Sequence, residues 1–175
     1  MSITDETFFR ENIVEVNKMV RNVLLGTIFV PVMFIALTIL GIWIVPHSYS
    51  LSILIYSLCS SVLYSFLIRS NVSQVLLIYL GVIFSSIFVF LLSMDGVILI
   101  SISYAFPPFV ACLYYNKRLT RYTTVVCFIL AVVAYWLRSN NADLVVHGFF
   151  TRLQYFIRYV IGLIIEYVFL FALSS

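Results

Sequence analysis

NVLLGTIFVPVMFIALTILGIWIVPHSYSLSILIYSLCSSVLYSFLI, residues 22–68, runs for 47 positions without an Asp, Glu, Lys or Arg. A helix needs ~20 mostly apolar residues to cross about 30 Å of hydrocarbon. This run therefore holds two spans, broken near Pro46-His47-Ser48. Further along, 25 residues separate Arg69 from Asp95, 21 separate Asp95 from Lys117, and 16 separate Arg121 from Arg138. After Arg158 the only charge is Glu166. These gaps hold one span each, which predicts six: about 22–45, 49–69, 73–93, 96–116, 119–137 and 154–174. Lipid offers no partner to an unpaired backbone group, so the spans should be helices. The runs are continuously apolar and do not alternate, which argues against a β-barrel.

Composition agrees with that reading. Of the 175 residues, 63% are hydrophobic and 10% charged, with a mean hydropathy of +1.13. A soluble domain is roughly 45–50% apolar and about 25% charged. A water-soluble globule, a disordered tail and a nucleic-acid module are all excluded by this balance. The expected fold is an all-α integral membrane six-helix bundle with a short N-terminal amphipathic helix. The lipid bilayer is its expected partner, and no nucleic acid is.

Lys/Arg bias sets the expected orientation. Arg10, Lys18, Arg21, Arg69, Lys117, Arg118 and Arg121 fall on one side, against Arg138, Arg152 and Arg158 on the other. The first side should be cytoplasmic, with both termini inside and the protein multi-pass in the plasma (bacterial inner) membrane. The turns near His47 and Asp95 and the loop 138–153 are then outside. Trp43 and Trp136 fall at outer span ends and Tyr114, Tyr115 and Tyr122 at the inner face, where amphipathic rings prefer to sit. The fifth span is short unless Arg121 snorkels from its end.

Residues 1–20 read as a cytoplasmic amphipathic helix ahead of a membrane domain over 21–175. Asp5, Glu6, Glu11 and Glu15 make this start too acidic for a cleavable signal peptide. Ser2 and Asp5 loosely fit a capping box, and Glu6–Arg10 is a favourable i,i+4 pair. Phe9, Ile13, Val16 and Val20 share a face. The segment either lies on the membrane or a partner, or extends the first span inward.

Motifs for chemistry are missing. The six glycines are scattered, so no phosphate-cradling loop can be built from them. Cys59, Cys112 and Cys127 lie inside spans, where cysteine behaves as a small hydrophobe. His47 and His147 sit alone in separate loops. No catalytic residue, metal site or cofactor is expected, and the chain itself is not expected to be an enzyme. Asn71-Val72-Ser73 matches a glycosylation sequon but falls in a tight cytoplasmic turn.

The polar residues inside spans are the remaining candidates for ligand contact or a polar network. Glu166 lies near the midpoint of the sixth span, where an ionisable group costs at least ~2.5–3.5 kcal/mol. It should therefore point into the bundle, either as an interhelical hydrogen-bond clamp or as a ligand contact or proton-linked switch. Ser57, Ser61 and Ser65 recur every fourth residue in the second span, a small-residue face that admits a close neighbour and could supply partners for Glu166. In the fourth span, Tyr104-Ala105-Phe106-Pro107-Pro108-Phe109 places two prolines in mid-helix. They remove two donors and clash with the carbonyls four residues back, so Pro107 and Pro108 predict a kink or hinge, with Tyr104 beside it. Pro31 predicts a milder bend in the first span.

Several stretches carry a resemblance. They are Phe9-Arg10-Glu11-Asn12 through Val16-Asn17 and Val20-Arg21-Asn22, the Tyr104–Phe109 run, Leu113-Tyr114-Tyr115-Asn116-Lys117-Arg118-Leu119-Thr120, and Trp136-Leu137-Arg138-Ser139. Together they resemble the six-helix N-terminal membrane input region of bacterial GGDEF-type (diguanylate cyclase) signalling proteins. The resemblance implies a sensory module whose last helix passes a movement to a cytoplasmic output domain, and a homodimer, because such outputs work in pairs. The sequence ends at Ser174-Ser175 without a GGDEF motif. The expectation is a non-catalytic front part of a larger protein, its ligand unknown. The alternative is the small-molecule capture subunit of an energy-coupling-factor-type vitamin transporter, which also packs six spans into fewer than 200 residues. Against it, the first span offers only Gly26, Ala36 and Gly41 as small docking residues.

Overall fold

The computed structural model describes residues 3–43, 45–70, 72–94, 101–140 and 151–173. Among them every regular element is helical: α1 (Ile3–Thr27), α2 (Phe29–Ile39), α3 (His47–Arg69), α4 (Gln74–Ser93), a 3₁₀ turn (Ser101–Ala105), α5 (Phe106–Cys112), α6 (Lys117–Ser139) and α7 (Arg152–Leu173). Four stretches among the described residues are long and apolar enough to cross a membrane: Asn12–Ile39, His47–Arg69, Gln74–Ser93 and Lys117–Ser139. The turn at Asp95, the loop around His147, Asn71 of the sequon, and the side chains of the cap, ion pair and Phe9 expected near the N-terminus lie outside the described residues.

The distribution of side chains is that of a membrane protein. Buried helix faces carry Ser50, Ser57, Ser61, Ser85, Thr123 and Thr124, whereas Phe29, Ile39, Val62, Phe66 and Phe109 face outward, each more than 60% exposed. Water would penalise so much contiguous apolar surface. Hydrocarbon does not, and helix association there relies on small residues and close packing. The chain is an all-α, multi-pass membrane protein.

It divides into two compact units, residues 1–88 and 89–175, with the boundary inside α4. In the first unit, α1 buries Ile13, Val16, Asn17, Val20, Leu24 and Thr27. That 3–4 spacing is one helical face. Three of the four residues expected to form an amphipathic stripe are thus packed inside the unit. The helix continues through Lys18 and Arg21, so the first candidate span starts about ten residues earlier than the charge pattern suggested. The ladder slips at Ile28, three residues before Pro31. Pro31 has no N–H for the carbonyl of Thr27, which places the break where proline chemistry puts it. After α2, Gly41 adopts φ +69°, and the Thr38 hydroxyl accepts from the Val45 N–H at 3.3 Å. Trp43 folds back edge-on to Phe34, ring centroids 5.8 Å apart.

A polar contact ties α1, α3 and α4 together. The Asn17 amide donates to Gln74 Oε1 at 2.8 Å, and the Tyr64 hydroxyl lies 3.3 Å from both Asn17 Oδ1 and the Leu77 carbonyl. Hydrogen bonds between membrane helices are worth about 0.6 kcal/mol on average and ~1.7 at most. Asn17→Ala is expected to cost about 1 kcal/mol, read as the midpoint of helix loss in a denaturing-detergent titration. An unchanged midpoint would mean that the network contributes nothing to stability.

In the second unit the fourth expected span takes a different form. The prolines do not kink a long helix. They stand in the first turn of α5, which starts at Phe106. First-turn N–H groups have no intrahelical acceptor, so a proline there loses nothing. The chain then turns through Tyr115, a non-glycine residue at φ +50°, and α6 begins. Asn116 caps it, its side chain accepting from the N–H groups of Arg118 and Leu119 at 3.0 and 3.1 Å. This cap fixes the start of α6 and hence the register of everything it carries.

Candidate functional site: a buried arginine among tyrosines

α6 buries Cys127, Ala131, Ala134, Tyr135 and Arg138 along one stripe. The alanines at 131 and 134 are fully buried, and their small side chains let neighbouring helices approach closely. Arg138 ends the stripe. At 2% exposure it is the largest fully buried side chain among the described residues. Its place in the last turn of α6 suits a cation, because helix C-termini carry partial negative charge.

Tyrosines surround it. Tyr155 and Tyr159 stand one turn apart at the start of α7, with ring centroids 4.6 Å apart. The Tyr159 ring stacks on Tyr135 of α6 at 5.4 Å and 22°, and the Arg138 guanidinium carbon lies 6.0 Å from the Tyr159 centroid. Tyr104, from the 3₁₀ turn, meets Tyr135 at 6.1 Å. Its hydroxyl is buried beside that of Ser93 without a hydrogen bond of full geometry. Arg138 is within electrostatic reach of both the Tyr104 and Tyr155 hydroxyls. Lower down, the Tyr167 hydroxyl donates to the Tyr104 carbonyl at 3.4 Å. Tyrosines from three elements thus form one aromatic cluster with the guanidinium at its edge over Tyr159, and that planar group with five donors suits carboxylate or phosphate recognition and aromatic stacking.

The sequence candidates are placed as follows. Tyr104 belongs to this cluster, and Pro107 and Pro108 open the helix that follows it, both buried. Ser57, Ser61 and Ser65 lie in the first unit. Ser57 and Ser65 donate to carbonyls of their own helix, those of Ile53 at 2.8 Å and Ser61 at 2.7 Å. Ser61 alone crosses to another helix, donating to the Leu24 carbonyl of α1 at 2.8 Å. Glu166 departs from expectation: it is exposed, whereas Leu163 and Tyr167 on the same helix are buried. At 100° per residue Glu166 stands about 60° from Leu163 and about 100° from Tyr167, on the flank of the inward face that those two residues set. Glu166→Gln should therefore shift the unfolding midpoint by no more than about 0.5 kcal/mol, measured by the same detergent titration. A larger loss would restore a structural role for the carboxylate.

Arg138 itself was readable only as a boundary charge. The signal that finds it is its spacing from Cys127, Ala131 and Ala134, which puts it on the buried stripe rather than beyond the end of the span. A scan against protein-family models, a search of curated proteins and a search of solved structures each find no match to this chain.

Proposed function

We propose that the chain is a membrane-embedded input module, non-catalytic in itself, in which the Arg138–tyrosine cluster receives the stimulus and α7 carries it away. The observation that supports this is a cationic side chain buried in a membrane helix among aromatic groups from three elements. Ionisable groups in such positions are expensive and mark functional sites by default. Tyr155 and Tyr159 form the start of α7, and that helix continues unbroken to Leu173. A ligand anion or a change at the tyrosines that repositions Arg138 would move α7 directly, biasing two packings of the unit. The orientation follows the positive-inside bias: the cluster lies toward the outside, both ends face the cytoplasm, and the protein sits in the plasma membrane. Transmission to a diguanylate cyclase or a related output, working as a homodimer, fits that arrangement.

The test is output. The chain is joined through its C-terminus to a GGDEF cyclase domain, and cellular cyclic dinucleotide is compared for the native sequence, Arg138→Lys and Arg138→Gln at matched membrane levels. We expect Arg138→Gln to change output severalfold and Arg138→Lys to change it less. Equal output from all three would overturn the proposal. A small molecule retained at one per chain, with no effect on output, would instead favour a capture subunit.

A further inference from the structure

A second feature of the same unit lies away from the arginine cluster. Between α6 and α7 runs a groove of about 470 Å³, walled by Val125, Phe128, Ile164, Val168 and Phe171. Two of its lining residues carry hydroxyls, and both are already committed. Thr124 donates to the Thr120 carbonyl at 2.9 Å, and Tyr167 to that of Tyr104. The groove therefore presents hydrocarbon alone.

Its end is cationic. The Arg121 guanidinium carbon stands 6.0 Å from the centroid of the Phe171 ring. Lys117 and Arg118, one turn earlier on α6, are exposed with it. Residues 117, 121, 125 and 128 follow the 3–4 spacing of a single helix face, so cations and groove form one continuous strip. An apolar slot that opens onto three cations matches an amphiphile with a negative head and a hydrocarbon tail. Basic pockets between membrane helices on the cytoplasmic side bind anionic lipid headgroups by this chemistry.

We infer that the α6–α7 groove is a binding site for an anionic phospholipid, one acyl chain lying along Phe128 and Val168 and the phosphate meeting Arg121 with Lys117 and Arg118. The inference rests on the membrane placement of α6 and α7, not on the input-module proposal, and its test reads lipid rather than signalling output.

The purified full chain is incubated in detergent with equimolar dioleoyl phosphatidylglycerol and dioleoyl phosphatidylcholine, and retained lipid is counted by native mass spectrometry. The native sequence should retain phosphatidylglycerol preferentially. Removing one cation by Arg121→Gln should cut that preference about fivefold. Arg121→Lys, which keeps the charge, should stay within about twofold of the native value. Val168→Trp, which fills the slot, should lower retention of phosphatidylglycerol while the protein keeps its helical circular dichroism. Equal retention of the two lipids by the native chain would overturn the inference. So would an unaltered preference in a Lys117→Gln, Arg118→Gln, Arg121→Gln triple variant. Undiminished retention in Val168→Trp would overturn it too, as would a lipid-free dimer that this substitution dissolves.

Discussion

Gly81→Leu should dismantle the first unit. A Cβ at this position of α4 would lie 2.9 Å from Val20 Cγ1 and 3.3 Å from the Tyr64 hydroxyl. Neither neighbour can step aside cheaply. Val20 is β-branched and stiff at χ1 on a helix, and Tyr64 is fully buried with its hydroxyl between Asn17 and Leu77. Overpacking alone costs roughly 1–3 kcal/mol. Displacing Tyr64 also breaks the polar contact among α1, α3 and α4, so the expected total is about 3 kcal/mol. The measurement is the midpoint of helix loss in denaturing detergent, with Gly81→Ala as the graded case at about 1 kcal/mol. Adding Val20→Ala to Gly81→Ala should recover most of the loss, because the shorter residue vacates the contact. A native midpoint for Gly81→Leu would show that α4 does not approach α1 and α3 as described.

The second large effect is expected from Arg138→Ala. The truncation leaves a void beside Tyr159 in a fully buried position, and large-to-small changes in packed interiors cost ~2–5 kcal/mol. It also removes a desolvated cation–π contact worth about 2 kcal/mol. These overlap, and the combined loss should be about 3 kcal/mol, confined to the second unit. Trp136 reports it, because its ring meets Phe156 of α7 edge-on at 5.3 Å. In a Trp43→Phe background, the fluorescence of Trp136 should change at a lower detergent fraction in Arg138→Ala. Arg138→Met, which preserves bulk without charge, separates packing from electrostatics: full recovery would mean that only volume matters. A Trp136 transition unchanged by Arg138→Ala would refute the clustering of α6 and α7 around this side chain.

The parts of the fold legible in the sequence are those whose ends are chemically marked. Expected spans at 49–69, 73–93 and 119–137 correspond to α3, α4 and α6 within two residues, because Arg69, Asn116 and Arg138 stand at real helix ends. The start of the first helix stays open in the sequence, between a separate amphipathic segment and an inward extension of the span, because Lys18 and Arg21 mark a change in polarity but not a change in backbone. A helix continues through exposed charges wherever its other face is packed. The proline pair misled for a related reason: an apolar run of 21 residues suggests a single long helix, whereas Pro107 and Pro108 are tolerated at the start of a short one.

The candidate site was less legible than the fold. Depth along a helix follows from counting residues, but the direction a side chain faces depends on what packs beside it. Glu166 is expected to point inward but is exposed, since Leu163 and Tyr167 take the inward positions beside it. Arg138 reads in the sequence only as a charge at the outer end of its span, because residues of α7, beyond the intervening loop, are what cover it. Tyr104 stands out in the sequence for its neighbouring prolines, whereas in the structure its ring packs against Tyr135.

The serine- and threonine-rich inner faces have a thermodynamic consequence. In water, cohesion of a core comes from solvent ordering around apolar groups, and unfolding carries a large positive heat-capacity change. Here the outward residues meet hydrocarbon before and after the helices separate, and the inward hydroxyls stay bonded to helical carbonyls such as those of Ile53, Leu119 and Thr120 in either state. Little surface changes its hydration when the helices part. The stability of this protein within a bilayer should consequently vary almost linearly with temperature, without the domed profile of soluble proteins and without weakening in the cold.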